Sequence, residues 1–190
     1  PFLELYLIYR VIKKKEDKTR IRERLGFAGV DRPEGEIIWM HAVSVGEANS
    51  ALTLVDELLK TFPKTSILFT TTTLTSAAII AAKLPQYQGR VIHQFLPIDS
   101  YFCVQNFLTF WQPRNAIFVE SEIWPNLVYE ARRIGVLSYL VNARMSEKSV
   151  RRWKFARLLG FNIFDYFAAI FAQTSEDKVR IQKLTKQEVL

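Results

Sequence analysis

"EIIWMHAVSVGEANSALTLVDELLK", Glu36 to Lys60, carries two patterns in one stretch. Ile37 to Val43 is a near-continuous apolar run of strand length, and Ala48 to Thr61 follows a helical pattern. Between them "SVGE" turns a strand into a helix and sets a carboxylate, Glu47, at the turn. A run that is apolar on both faces suits a strand covered on both sides, as in a parallel sheet.

The same alternation continues outward. The strand-like runs "TSILFTTTT", "RVIHQFLP", "NAIFVES", "VLSYLVNA" and "AAIFAQ" are separated by helical patterns over Ser76 to Lys83, Ser100 to Phe110, Trp124 to Ile134 and Ser146 to Leu159. A short apolar helix is predicted around "NIFDYF", and another begins at "SEDKVRIQKL". The expected fold is therefore α/β, a Rossmann-like parallel sheet with helices on both faces. Pro1 is not a methionine, and the final "IQKLTKQEVL" stops inside a helical pattern, so the expectation is a piece of a longer chain.

Composition narrows the function classes. The single cysteine, Cys103, forms no internal disulfide and reads as core; one Cys with His41 and His93 is too few for a zinc site. Both histidines read as structural. No apolar run reaches the roughly 20 residues that span a bilayer. The net charge of +7 is uneven: between Arg10 and Arg24 eight Lys or Arg face three acids, directly after the apolar "PFLELYLIYRVI". That order fits a segment lying on an anionic membrane and equally a solvated helix face packed on the domain. "RRWKFARLLG", Arg151 to Gly160, favours an anionic surface or ligand. No helix-turn-helix, zinc-finger or RNP-like pattern supports nucleic acid.

In a parallel sheet, ligands bind beyond the carboxyl ends of the strands, so the residues there are the candidates. Ser44 to Glu47 reads as a helix capping box, and also as a turn where Gly46 admits a ligand and Glu47 acts as a general base, its charge favoured by the helix dipole. In "VESEIWPN", Glu120 and Glu122 point to one side if the chain is extended and part if it turns. They could supply a base and an electrostatic stabiliser, or Glu122 could cap the next helix while Glu120 pairs with Arg144. "TTTTLTS" could cradle sugar or phosphate oxygens, or simply suit a strand and a helix cap. The absence of GxGxxG and of a P-loop disfavours a nucleotide-binding enzyme complete in this one domain.

Taken in order and spacing, "HAVSVGE", "TTTTLT", "HQFLPID", "ESEIWPNL" and "NARMSEKS" closely resemble the 3-deoxy-D-manno-octulosonic acid (Kdo) transferases of lipopolysaccharide synthesis, from about Tyr6 onward. The resemblance implies the N-terminal, acceptor-side half of a GT-B glycosyltransferase, with residues 1–33 as an apolar and basic membrane-associating helix and loop and 34–190 as the Rossmann-like domain. A donor-side domain would carry a stabilising lysine and the CMP contacts beyond Leu190. It implies Kdo transfer from CMP-Kdo to a lipid A precursor, with inversion and with no cofactor or nucleotide-bound metal, at the cytoplasmic face of the inner membrane of Gram-negative cells, the protein being peripheral or monotopic. Glu47 matches the family's proton acceptor and Glu120 its transition-state stabiliser. Ser44, Gly46, Thr70, Thr71, Thr72, Thr73, Glu122, Asn142 and Arg144 are the accompanying substrate-binding candidates; Lys13, Lys14, Lys15, Arg151 and Arg152 suit an anionic lipid. The sequence has Ser76 where relatives commonly have glycine, which puts contacts at that turn in doubt. The alternative for the isolated chain is a lipid- or membrane-binding module that performs no chemistry by itself.

Overall fold

The computed structural model describes residues 2–120 and 123–190, with side chains from Leu7 onward. Six strands form one sheet: β1 (Ile37–His41), β2 (Ser66–Thr71), β3 (Val91–Phe95), β4 (Asn115–Val119), β5 (Leu137–Ala143) and β6 (Ala169–Ala172). Every pairing is parallel and the order is β3-β2-β1-β4-β5-β6, the doubly wound arrangement. The apolar runs predicted as strands are all strands, and β1 and β2 are buried along their whole length.

The helices of the domain are α3 (Val45–Thr61), α4 (Leu74–Lys83), α5 (Tyr101–Trp111), α6 (Pro125–Arg133), α7 (Glu147–Leu158) and α8 (Ser175–Gln182). α3 and α4 pack on one face through Ala51, Val55 and Ile80, over Met40 and Phe69. α5 and α6 cover the other through Phe107, Leu127 and Val128, where Trp39 lies edge-on to both Phe107 and Phe118. "NIFDYF" contains a 3-10 turn, Ile163–Tyr166. The chain therefore crosses from one face to the other after β3, and β1 and β4 are the neighbours at which the winding direction reverses.

One stretch departs from expectation. The final residues do not continue a helix: α8 stops at Gln182, and Val189 pairs with Ile170 of β6 while Leu190 N–H donates to the Ile170 carbonyl at 2.9 Å. Val189 is fully buried there, and an open sheet edge offered to a β-branched residue outweighs the helical pattern. Near the start, α1 (Phe2–Ile12) and the short α2 (Ile21–Arg24) precede the sheet. Among the described residues no helix is long and apolar enough to cross a membrane. Part of the basic segment packs on the domain: Arg10 and Arg24 both close on buried Glu16, and Arg20 pairs with Glu23. Gly26, at φ +87°, is required, since a Cβ there would lie 2.1 Å from the Cys103 carbonyl oxygen.

Both histidines are interior, as expected. His41 Nδ1–H donates to the Thr70 carbonyl at 3.1 Å, and His93 accepts from Arg20 at Nδ1 and donates from Nε2 to Thr71 Oγ1 at 2.9 Å. Burial holds each near pKa 3, with Arg24 and Arg20 opposing protonation of His41 and His93 respectively. Because both folded pKa values lie below the unfolded one, the stability they confer is complete above about pH 6.5 and is lost as pH falls toward 3. Each should cost about 2 kcal/mol by about pH 5. The expected result is a urea midpoint that drops between pH 7 and about pH 5, with a shallower drop in His93→Gln.

Candidate active site

The site forms where β1 and β4 lie side by side, with His41 in register with Phe118. Helices leave these two strands toward opposite faces, so a crevice opens beyond their carboxyl ends. Glu47 enters from the β1 side. Ser44 caps α3, its Oγ accepting from Glu47 N–H at 3.2 Å, and the Glu47 carboxylate reaches back to accept from Val43 N–H at 2.8 Å. The capping reading is therefore realised, displaced by one residue from the Ser44 amide that a regular capping box would engage. It occupies only Oε2; among the described residues Oε1 carries no hydrogen bond. The helix also begins earlier than its predicted start at Ala48, because Ser44 stops it at the cap.

Glu120 enters from the β4 side. It leaves the strand at φ +63°, a left-handed conformation that costs a non-glycine residue about 1 kcal/mol or more. The chain thus turns at Glu120; Glu122, and with it the expectation that both carboxylates point to one side, lies outside the described residues. Partial burial raises the Glu120 pKa above the usual carboxylate value, the negative charge of Glu47 raises it further, and Arg144 opposes both. The two acids thus follow neighbouring strands, one on each side of the crevice. Arg144 Nη1 stands 3.9 Å from Glu120 Oε2, a loose pair with the arginine largely exposed. Asn142, also left-handed at φ +53°, lies where the β5–β6 register slips and brings the Arg144 loop to the same rim.

The threonine run divides. Thr70 and Thr71 are fully buried and their hydroxyls serve the interior: Thr70 Oγ1 accepts from Trp39 Nε1–H at 2.8 Å, and Thr71 accepts from His93. Strand residues one layer below the rim face the core, so both hydroxyls are engaged inside the protein. Thr72 is also buried, and Thr73 caps α4, accepting from Ser76 N–H. Gly46 lies exposed on the first turn of α3, where an added Cβ would meet nothing nearer than Ser44 Oγ at 4.0 Å. Ser76 resolves the doubt at its turn: it is buried and donates to the Val43 carbonyl at 2.6 Å, so its side chain points inward and leaves the crevice free.

Residues that sequence reasoning passed over hold the rim in place. Both polar groups of Val43 are engaged, N–H by Glu47 and C=O by Ser76. Glu23 accepts from Phe95 N–H at 2.7 Å at the end of β3, and Asp177 accepts from Met145 N–H at 2.8 Å in the loop after β5. Asp99 accepts from Asn126 N–H and Leu127 N–H at 3.1 and 2.9 Å, capping α6, whose own N-cap residue Trp124 provides no side-chain bond. Burial raises the Asp99 pKa, and the bonds from Asn126 and Leu127 oppose the rise. Asp99→Ala should cost about 1–3 kcal/mol, the penalty for orphaned helix donors, measured by urea unfolding. The signal available in the sequence was the uncapped "IWPN" start, which requires a cap from elsewhere. Among the described residues no group of three or more His, Cys, Asp or Glu could hold a metal ion.

A family model described as 3-Deoxy-D-manno-octulosonic-acid transferase (kdotransferase) matches residues 19–189. The chain is 38% identical over 184 residues to the 3-deoxy-D-manno-octulosonic acid transferase of Rickettsia bellii, a match covering 97% of this chain and 43% of that protein. It is 42% identical over 149 residues to the protein of the same name from Rickettsia felis, covering 78% and 31% respectively. A probable mitochondrial 3-deoxy-D-manno-octulosonic acid transferase of Arabidopsis thaliana is 37% identical over 159 residues, covering 84% and 35%. The chain spans less than half the length of these relatives. With nearly its whole length matched, and an all-parallel α/β sheet that brings two separate acidic motifs to one rim, this chain belongs to the 3-deoxy-D-manno-octulosonic acid (Kdo) transferase family.

Proposed function

We infer that this domain is the acceptor-side half of an inverting glycosyltransferase that passes Kdo from CMP-Kdo to a hydroxyl of a lipid A precursor. The donor is held by a second domain, absent from these 190 residues, that supplies the stabilising lysine and the CMP contacts. Glu47 takes the proton from the acceptor hydroxyl through its unengaged Oε1 as the oxygen attacks the anomeric carbon and the CMP leaves from the opposite face. Glu120 stabilises the oxocarbenium-like charge at that carbon. Arg144 and Asn142 border the acceptor, and the reaction takes place on the cytoplasmic face of the inner membrane.

The observation that supports this reading is the placement of Glu47 and Glu120 beyond the carboxyl ends of the neighbouring strands β1 and β4. A carboxylate whose pKa is raised by burial and by a neighbouring acid, at the point where ligands enter this class of sheet, is poised for charge chemistry. The test is transfer of radiolabelled Kdo from CMP-Kdo to a lipid A precursor by the complete enzyme. Failure of labelled lipid to form, with the donor shown to bind, would sink the reading. The fragment alone should bind lipid without turnover, as it lacks the donor half.

A further inference from the structure

β3 is an edge strand of the sheet, and its outer side is not bare. Two residues of the α2 segment take its outward backbone groups: Arg20 Nη2–H donates to the His93 carbonyl at 3.0 Å, and Glu23 accepts from Phe95 N–H. Between this clamp, the loop 27–30 and the end of α4 lies a cavity of about 580 Å³, whose walls include Arg20, Arg22, Phe27, Val30, Leu84 and Gln94. The loop closes tightly on the clamp, since a Cβ on Gly29 would come within 3.0 Å of Glu23 Oε1.

The hydrogen-bonding groups around this cavity are out of balance. Its side-chain acceptors are engaged: Glu23 by Arg20 and Phe95, His93 Nδ1 by Arg20, and Gln94 Oε1 by Trp111 Nε1–H at 2.7 Å. Its donors are not. Trp111 can only donate, so it fixes which end of the Gln94 amide it meets, and the other end, Nε2, has no partner although Gln94 is 1% exposed. Among the described residues Arg20 Nη1 carries no bond, and the Arg22 guanidinium, held over the Phe27 ring at 5.2 Å, makes no hydrogen bond or ion pair. A buried amide nitrogen without an acceptor is disfavoured until something supplies one. Two guanidinium groups against one carboxylate leave the cavity net positive, so the best acceptor is a negatively charged one.

We propose that this cavity binds a small soluble organic anion, its phosphate or carboxylate group meeting Gln94 Nε2, Arg20 and Arg22 while its carbon body lies against Phe27, Val30 and Leu84. The volume suits a ligand much larger than inorganic phosphate. The buried amide at its floor is reached only by a molecule that enters the cavity, which favours a free solute over a group held at a surface. The site lies at β3, two strands along from β1, and neither it nor its test depends on the glycosyl-transfer reading.

The experiment is a proton–nitrogen correlation NMR titration of the 190-residue chain with phenyl phosphate, read at the Gln94 side-chain amide and the Trp111 indole N–H. Both signals should shift saturably. Phenol and inorganic phosphate should each bind about tenfold more weakly or worse, one lacking the charge and the other the apolar body. Gln94→Glu keeps an acceptor for Trp111 and replaces the free donor by a carboxylate oxygen; read at Trp111, it should lower affinity by about tenfold or more. Arg22→Gln, at an exposed position, should lower it by about threefold to fivefold. Lys154→Gln removes the same charge from α7 and should stay within about twofold of wild type. The Arg22→Gln and Lys154→Gln comparison decides the matter even if Gln94→Glu does not fold. No saturable shift, an Arg22→Gln affinity no lower than that of Lys154→Gln, or a folded Gln94→Glu variant that binds like wild type overturns the proposal. So does glycerol phosphate binding more tightly than phenyl phosphate, which would make this a site for a lipid head. Glu47→Gln should bind phenyl phosphate like wild type, so failure of the catalytic reading leaves this result unaffected.

Discussion

Glu47→Gln in the complete enzyme is expected to lower kcat by about 10²- to 10⁴-fold with little change in KM, the range for loss of a positioned general base. Glutamine retains an acceptor for Val43 N–H and leaves the Ser44 cap intact, so thermal unfolding should move little. The contrast with Glu47→Ala separates two roles. Alanine also gives up the Val43 bond, worth about 1 kcal/mol, and should lower stability as well as rate. If the glutamine variant keeps turnover near wild type while the alanine variant is merely less stable, Glu47 is a helix cap and the base lies elsewhere. Measuring kcat and the unfolding midpoint on the same preparations distinguishes these outcomes.

Glu120→Gln should cost about 10²- to 10³-fold in kcat, the scale of removing one preorganised electrostatic contact to a developing charge. The pH profile gives a second readout. Glu120 must be ionised to act, and its pKa is raised by partial burial and then by Glu47, so activity should fall on the acid side at a higher pH than an ordinary carboxylate would give. Arg144 pulls the other way; Arg144→Gln should move that limb to still higher pH. The sign for stability is the reverse of a paired acid: a folded pKa above the unfolded value means that ionising Glu120 works against the fold as pH rises through it. Glu120→Gln should therefore be no less stable than wild type at neutral pH. An acid limb that Arg144→Gln leaves in place would remove Arg144 from the account.

The architecture was legible because the central strands are near-continuous apolar runs and the helices between them are flanked by polar turns, so local pattern and global fold agree. The capping geometry at Ser44 could be read from spacing alone. The depth of a side chain could not: Thr70 and Thr73 look alike in "TTTTLTS", yet the first is sealed under Trp39 and His41 and the other caps a helix at the rim. Long-range clamps were equally hidden, since nothing near Asp99 in the chain reveals that its carboxylate ends up on the α6 backbone. The end of the chain was misread because helical composition at "IQKLTKQEVL" competes with an open sheet edge that exists only once β6 is formed.

The placement of β1 between β2 and β4 has a consequence for biosynthesis. When a ribosome has delivered the first half of this domain, β1 has β2 beside it and a vacant flank where β4 will dock. Until then no partly made chain can bring the two acids within reach of each other. The proposed catalytic pair is thus assembled late, only once β4 has docked beside β1.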